Sequence, residues 1–240
     1  MLTLFFIDSI PDTSNFIIEG DEAHHAINVL RIKTGEEILI SDGVGNWVRA
    51  SVESIAKKKF EAKILERGKE IARTPKFTIL QALPKSDRTK EAIELLVQAG
   101  VDEIIPWSAE RSIAKAKSDT SDKWQVGAIS AAKQARRFHI PNLAPVSDLA
   151  SFLSSRVGNF ALLVLHESAT TKLSAVVSSK MNELDEIIIV IGPEGGISGT
   201  ELALFEEGGG LVVKMGEPVF RSAHAGAAAL SAISALLGRW

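Results

Sequence analysis

With 240 residues and 45% hydrophobic content, the chain has enough apolar side chains for one large domain or two smaller ones. It has no cysteine, which excludes disulfides, thiolate metal sites and a cysteine nucleophile, and fits a reducing, cytoplasmic setting. A formal net charge of −3 excludes nucleic-acid affinity through bulk positive charge, while leaving room for a local basic face.

The first residues, Met1 to Ile7, are apolar but lack a basic leader, and Asp8 and Pro11 end the run early. They read as a strand at 2–7 rather than a signal peptide. Short β-like runs follow at 15–19, 36–42, 46–55 and 60–66, interrupted by one helix around Glu22 to Arg31. That spacing predicts a small barrel or sandwich. Lys57-Lys58-Lys59 reads as a solvated hairpin turn, and residues 68–75, closing on Thr74-Pro75, read as a linker. The boundary implied is a first domain over 1–72 and a second over 73–240.

From Lys76 onward strands and helices alternate. Strands are predicted at 77–83, 102–106, 160–165, 186–191 and 211–215, and helices at 87–99, 121–137, 170–180, 198–207 and 221–238. The alternation predicts a mostly parallel α/β sheet with helices on both sides. Lysines and arginines at 85, 88, 90, 111, 115, 117, 123, 133, 136 and 137 crowd one third of the chain, a candidate basic face. No apolar run approaches membrane-spanning length. Five scattered histidines without a His-Glu-x-x-His pattern give no metal signature.

The most informative stretch is 187–201. The run Ile187 to Ile191 is a buried strand by composition, and it halts at Gly192-Pro193. Ser198 with Glu201 three residues later is a capping-box pattern that starts a helix. The loop between them holds three glycines, Gly192, Gly195 and Gly196, at the carboxyl end of a buried strand, where α/β proteins bind ligands. Three familiar motifs do not fit. Ile197-Ser198 stands where a P-loop needs Lys-Ser, the spacing is not that of a dinucleotide fingerprint, and Gly196-Ile197-Ser198-Gly199 closes too early for a nucleophile elbow. A second strand-end loop, Gly216 to Arg221, lies about two dozen residues on. The two loops can face each other across one sheet end.

Gly192-Pro193-Glu194-Gly195-Gly196, Glu201, and Met215-Gly216 followed by Val219-Phe220-Arg221 resemble the signature of the RsmE family. These are 16S ribosomal RNA (uracil-N3)-methyltransferases of the SPOUT superfamily. Other segments agree in order: His25, Val29-Leu30-Arg31, Gly35-Glu36-Glu37-Ile38, Lys85-Ser86-Asp87-Arg88, Gly100-Val101, Ile105-Pro106, Ala109-Glu110-Arg111-Ser112, Gln134 with Arg137, and Ile140-Pro141. The chain departs from the family at Pro218, where arginine is usual, and at Ala223-His224, where Glu-Thr is usual. Glu94 to Gly100 stands where the family has Gln-Lys-x-x-Glu-Leu-Gly. Roles of the missing residues are not carried over; Arg221 is retained.

The resemblance implies a SPOUT-type C-terminal domain with a deep trefoil knot and a mostly parallel sheet, plus a small N-terminal PUA-like β-barrel that binds RNA. It implies S-adenosylmethionine as cofactor, held by Ile191, Gly192, Pro193, Glu194, Gly195, Gly196, Met215, Gly216, Val219 and Phe220, with Leu165, His166 and Glu167 as a third wall. Arg221 is the catalytic candidate. His25, Arg31, Lys85, Arg88, Arg111, Arg136 and Arg137 are the RNA-binding candidates, with Lys33 and Arg49 beside them in the first domain. The implied partner is 16S rRNA in the small ribosomal subunit, and the implied assembly is a homodimer. Two alternatives stay open: a SPOUT methyltransferase acting on another RNA, and an RNA-binding module that has lost catalysis. His224, His166, Glu167 and Glu194 are possible bases, with none assigned.

Overall fold

The computed structural model describes residues 2–85 and 88–240. The helix start expected at Ser86-Asp87 therefore lies outside the described residues. The chain divides into two compact units, Met1–Ala72 with Ala132–Ile140, and Arg73–Ala131 with Pro141–Trp240. Residues 132–140, which the sequence assigned to the second domain, thus belong to the first unit.

In the first unit, β1 (Leu4–Phe6), β2 (Asn15–Ile18), β3 (Glu37–Ser41), β4 (Asn46–Ile55) and β5 (Phe60–Lys69) form one sheet in the order β1-β3-β4-β5-β2. β1 runs parallel to β3 and the remaining pairs are antiparallel. Alternate residues point inward, as period-two patterning requires. Ile38, Ile40, Val48, Ala50, Val52, Phe60 and Ala62 are buried in one cluster with Phe5 and Ala26. β5 runs on to Lys69, so the first residues of the expected linker are strand.

The expected helix is α1 (Gly20–His24) continuing as a π-helical turn, His25–Leu30, which Arg31 closes in the left-handed conformation (φ 56°). Within this unit Phe138 stacks on Trp47 (5.2 Å between centroids, 12° between planes), and the Gly45 N–H donates to the Phe138 carbonyl. A side chain at Gly68 would meet the Trp47 ring at 2.3 Å, so that stack requires glycine there.

The second unit carries β6 (Lys76–Ala82), α2 (Thr89–Ala99), β7 (Glu103–Trp107), α3 (Thr120–Ala135, its last four residues in the first unit), β8 (Asn142–Leu143), α4 (Leu149–Ser155), β9 (Phe160–Leu165), α5 (Leu173–Val176), β10 (Glu186–Ile191), α6 (Gly199–Glu207), β11 (Leu211–Val213) and α7 (Ser222–Leu236). All six strands are parallel, in the order β11-β9-β10-β6-β7-β8. One face buries Leu80, Trp107, Leu162, Val164, Ile188 and Val190 against Phe152 of α4 and Phe205 of α6. The other face meets α7, and α2 packs against α7. A Cβ on Gly226 of α7 would sit 2.7 Å from Leu96 of α2 and 3.4 Å from Ile191, so the small residues of α7 serve close packing.

Two expectations change. The helix expected at 170–180 is only the single turn of α5 and a 3-10 turn, Ser179–Glu183. The Lys214 N–H donates to the Thr171 carbonyl and the Leu173 N–H to the Lys214 carbonyl, so 171–172 are extended by pairing with the chain after β11. Strand β11 correspondingly ends at Val213, leaving Met215 in the loop. β8 and α4 had no counterpart in the sequence reading, although Asp148, whose side chain accepts from the Ser151 N–H, is an N-cap signal.

At the opposite ends of the strands Lys76 lies 2.8 Å from Glu103 and 3.1 Å from Glu186. Arg156 reaches Glu186 at 3.7 Å, and Asn142 donates to Glu103 at 2.6 Å.

Candidate active site

Parallel register decides where the site forms. Ile191 pairs with Leu165 and with Gln81, and Val213 pairs with Leu165. The chain segments leaving β9, β10 and β11 therefore emerge together at the carboxyl end of the sheet, the usual ligand position in such folds. They enclose a cleft of about 400 Å³.

The segment after β10 is a tight glycine turn. The Gly196 N–H donates to the Pro193 carbonyl at 2.9 Å, with Gly196 at φ 74°. A Cβ on Gly195 would lie 3.0 Å from the Arg111 Cβ and carbonyl oxygen, so the two loops touch backbone to backbone. The expected capping box forms: the Glu201 N–H donates to the Ser198 hydroxyl, and the Ser198 N–H to Glu201 Oε2 at 2.9 Å. Glu201 is only 8% exposed, and its Oε1 accepts from the Glu110 N–H at 2.7 Å. One carboxylate thus starts α6 and fixes the loop that carries Arg111.

The segment after β9 is held by the His166 N–H donating to the Val213 carbonyl, while His166 Nδ1 lies 2.8 Å from the Ser168 hydroxyl. The segment after β11 runs outward, leaving Val219 71% and Phe220 48% exposed at the cleft, apolar surface available to a ligand. It re-enters at α7, whose Ser222 hydroxyl donates to the Gly192 carbonyl at 2.7 Å. Gln81, 1% exposed on β6, donates to the Ser222 hydroxyl at 3.2 Å.

All the residues expected to hold the cofactor line this one cleft: 165–167, 191–196, Met215, Gly216, Val219 and Phe220, with Arg221 beside them. Sequence reasoning missed Ile197, Val213, Lys214, Pro218, Ser222 and Ala225 as lining residues. Each is within two residues of a predicted one except Ala225, whose one-turn spacing from Arg221 was an available signal. Arg221 is the N-cap residue of α7; among the described residues its guanidinium has no partner. Of the possible bases, His166, Glu167 and Glu194 line the cleft. His224 does not; its Nε2 lies 2.9 Å from Glu91 Oε1 on α2. Hydrogen bonds from His224 and then Arg88 hold the Glu91 carboxyl below its ordinary range.

The RNA-binding candidates are distributed over both units. In the first, Arg31 is exposed, His25 is half-buried, and Arg136, also left-handed (φ 52°), donates through Nε to the Leu2 carbonyl. Arg137 belongs to the same segment. Arg49 is committed to Glu37 (2.8 Å) and Glu66 (3.1 Å), whose hydrogen bonds and charge raise its pKa, so it is no free RNA contact. In the second unit Lys85 is exposed, Arg88 pairs with Glu91 at 2.9 Å, and Arg111 lies 3.4 Å from the Gly195 carbonyl. Among the described residues no group of three or more His, Asp or Glu could hold a metal ion, and no helix is long and apolar enough to cross a membrane.

A family model described as an RNA methyltransferase domain matches residues 72–234, and one described as an RNA methyltransferase PUA domain matches residues 18–65. The ribosomal RNA small subunit methyltransferase E of Mycobacterium bovis is 38% identical, covering 99% of this chain and 93% of that protein. Its counterpart in Bacillus subtilis is 29% identical, covering 94% and 91%. Among solved structures, the methyltransferase E of Neisseria gonorrhoeae bound to S-adenosyl methionine aligns at TM-score 0.88, 25% identity and 98% of both chains. A Legionella pneumophila protein in complex with the same bound cofactor aligns at TM-score 0.85 and 26% identity, again over 98% of both. The chain belongs to the ribosomal RNA small subunit methyltransferase E family.

Proposed function

We propose that this protein transfers the methyl group of S-adenosylmethionine to N3 of a uridine in 16S rRNA, within the assembled small subunit in the cytoplasm. The observation that carries the proposal is the cleft at the ends of β9, β10 and β11, with an unpartnered arginine at its rim. Its volume suits a nucleoside-sized ligand. Glycines 192, 195 and 196 leave backbone groups accessible, Ile191, Met215, Val219 and Phe220 offer apolar walls, and Glu167 and Glu194 suit a cationic ligand.

Bound there, the cofactor supplies an electrophilic methyl on a positively charged sulfur. The protein must align the target nitrogen with it and stabilise the charge that moves. Uracil N3 bears an imide proton, so its lone pair becomes available only as that proton leaves. Arg221 cannot act as a base. It stabilises the negative charge gathering on uracil O2 or O4, which requires the free guanidinium it has.

The same reading includes a SPOUT-type trefoil knot, in which the chain after β11 passes beside residues 171–173 before α7 returns under β10 and β6. It includes a homodimer, and a PUA-like barrel built from β1–β5 that grips RNA through Arg31 and Lys33 while the target base is splayed from its stack. Arg88 and Arg111 are the RNA contacts of the second unit.

The test is incubation with labelled cofactor and methyl-deficient small subunits, followed by mapping of the modified base. Label at N3 of one uridine supports the proposal. Cofactor binding by calorimetry without methyl transfer would favour an RNA-binding module, and label at another atom or RNA would reassign the substrate.

A further inference from the structure

Resting on the methyl-transfer reading above, we propose that Phe220 is the platform on which the target uracil stacks at the mouth of the cleft. The described residues include all ten phenylalanines, and Phe220 is the only one of them that is exposed, at 48%. The others are buried or half-buried, as apolar side chains of this size are expected to be. Among the described residues the Phe220 ring makes no aromatic or cation–π pair. The fold leaves it facing outward, beside a cleft that it lines.

Its place is fixed from both sides. Before it, the Lys214 backbone pairs with Thr171 and Leu173, and Lys214 Nζ lies 3.0 Å from Glu217. After it, the Ser222 hydroxyl is tied to the Gly192 carbonyl at 2.7 Å. Between these anchors residues 216–221 are all exposed. The segment is a ledge held at both ends, and Phe220 stands on it next to Arg221, whose guanidinium has no partner among the described residues.

The apolar lining of the cleft has two layers. Ile191, Ile197 and Val213 are at most 3% exposed and form its floor, whereas Val219 and Phe220 form its outer edge. Methyl transfer needs both reactants present at once, with the target nitrogen in line with the sulfur. A cleft of about 400 Å³ suits one nucleoside-sized ligand, so the uracil must come from solvent and lie at the mouth. A base drawn from its stack has lost its flat neighbours, and an exposed aromatic ring replaces one of them. Such stacking does not depend on which base is held. Phe220 therefore fixes the plane of the base, and Arg221 answers to the charge on its oxygens.

The experiment uses the full-length protein and methyl-deficient small subunits. Wild-type methyl transfer and calorimetric cofactor binding test the methyl-transfer reading on their own; no transfer by the wild type overturns that reading and this one with it. With transfer established, the outcomes below bear on Phe220 alone. Phe220→Leu keeps an apolar side chain without the flat ring. It should bind S-adenosylmethionine within about twofold of wild type and raise the KM for subunits about tenfold or more. Phe220→Tyr keeps the ring and should stay within about threefold of wild type in both. A photoreactive benzoylphenylalanine placed at position 220 should crosslink to the target uridine or its immediate neighbours, mapped by primer extension. An unchanged KM in Phe220→Leu overturns the proposal. So does a weakened cofactor affinity with the KM for subunits unchanged, which would assign the ring to the cofactor instead. A crosslink elsewhere in the RNA, or to a second copy of this chain, also overturns it, and that readout does not depend on how the leucine variant folds.

Discussion

The Ser222 hydroxyl donates to the Gly192 carbonyl at 2.7 Å and itself accepts from buried Gln81 at 3.2 Å. This chain joins β6, the glycine loop and the first turn of α7, so it sets where Arg221 stands relative to the cleft. Ser222→Ala leaves the Gly192 carbonyl without its donor; Gln81 keeps only the Ala82 carbonyl. We expect a loss of about 1–2 kcal/mol in urea unfolding, and a cofactor dissociation constant raised several-fold in calorimetry. An unchanged dissociation constant would show that the loop holds its shape without this tie.

Arg221 presents the opposite case, a side chain that the fold does not use. Arg221→Ala should change stability by no more than about 0.5 kcal/mol, because the guanidinium has no partner among the described residues. Methyl transfer should fall about 100-fold or more in single turnover. Arg221→Lys keeps the charge but not the planar fork, and should recover only part of the rate. Full activity of the alanine variant would remove Arg221 from the chemistry.

Glu201 separates capping from tethering. Its two oxygens accept from Ser198 and Glu110, and glutamine has only one oxygen to offer. Glu201→Gln must therefore abandon one N–H, at a cost of about 1–2 kcal/mol. Glu201→Ala loses both and should cost about 2–3 kcal/mol. If the Glu110 tether positions Arg111, both variants should also weaken binding to small subunits, measured by sedimentation. Binding unchanged in both would confine Glu201 to helix capping.

Local chemistry was legible; pairing between distant segments was not. The β-branched run of β10, the Ser198–Glu201 box and the glycine turn are written in consecutive residues, so sequence placed them and the cleft they line. The helix expected at 170–180 failed because Thr171 and Leu173 pair with Lys214, some forty residues on, overriding helix propensity. Phe138 belongs to the first unit because it stacks on Trp47, a contact with no periodic signature. His224 stood both as a departure from the motif and among the possible bases. Its hydrogen bond with Glu91, which lies on another helix, had no signal in the sequence.

The cluster at the far ends of the strands should govern acid stability. Burial disfavours ionised Glu103, but the hydrogen bond and charge of Lys76, helped by Asn142, outweigh it and hold the pKa below its ordinary value of 4.5. A lowered carboxylate pKa contributes stability above the unfolded value, and this is lost as pH falls through the folded one. Burial likewise opposes the Lys76 charge, yet Glu103 and Glu186 raise its pKa above 10.5, so its contribution persists until the pH climbs past that value. Between these limits Lys76→Met leaves two largely buried carboxylates facing each other with only Arg156 nearby, at a cost of about 2 kcal/mol. As the pH falls through the lowered pKa of Glu103, protonation of that carboxylate removes the need for a cation. The difference in melting temperature between wild type and Lys76→Met should therefore be largest near pH 7 and shrink toward pH 3, while Glu103→Gln should flatten the wild-type acid limb. A difference constant from pH 7 to pH 3 would mean that Lys76 acts through packing of its methylene stem rather than through charge.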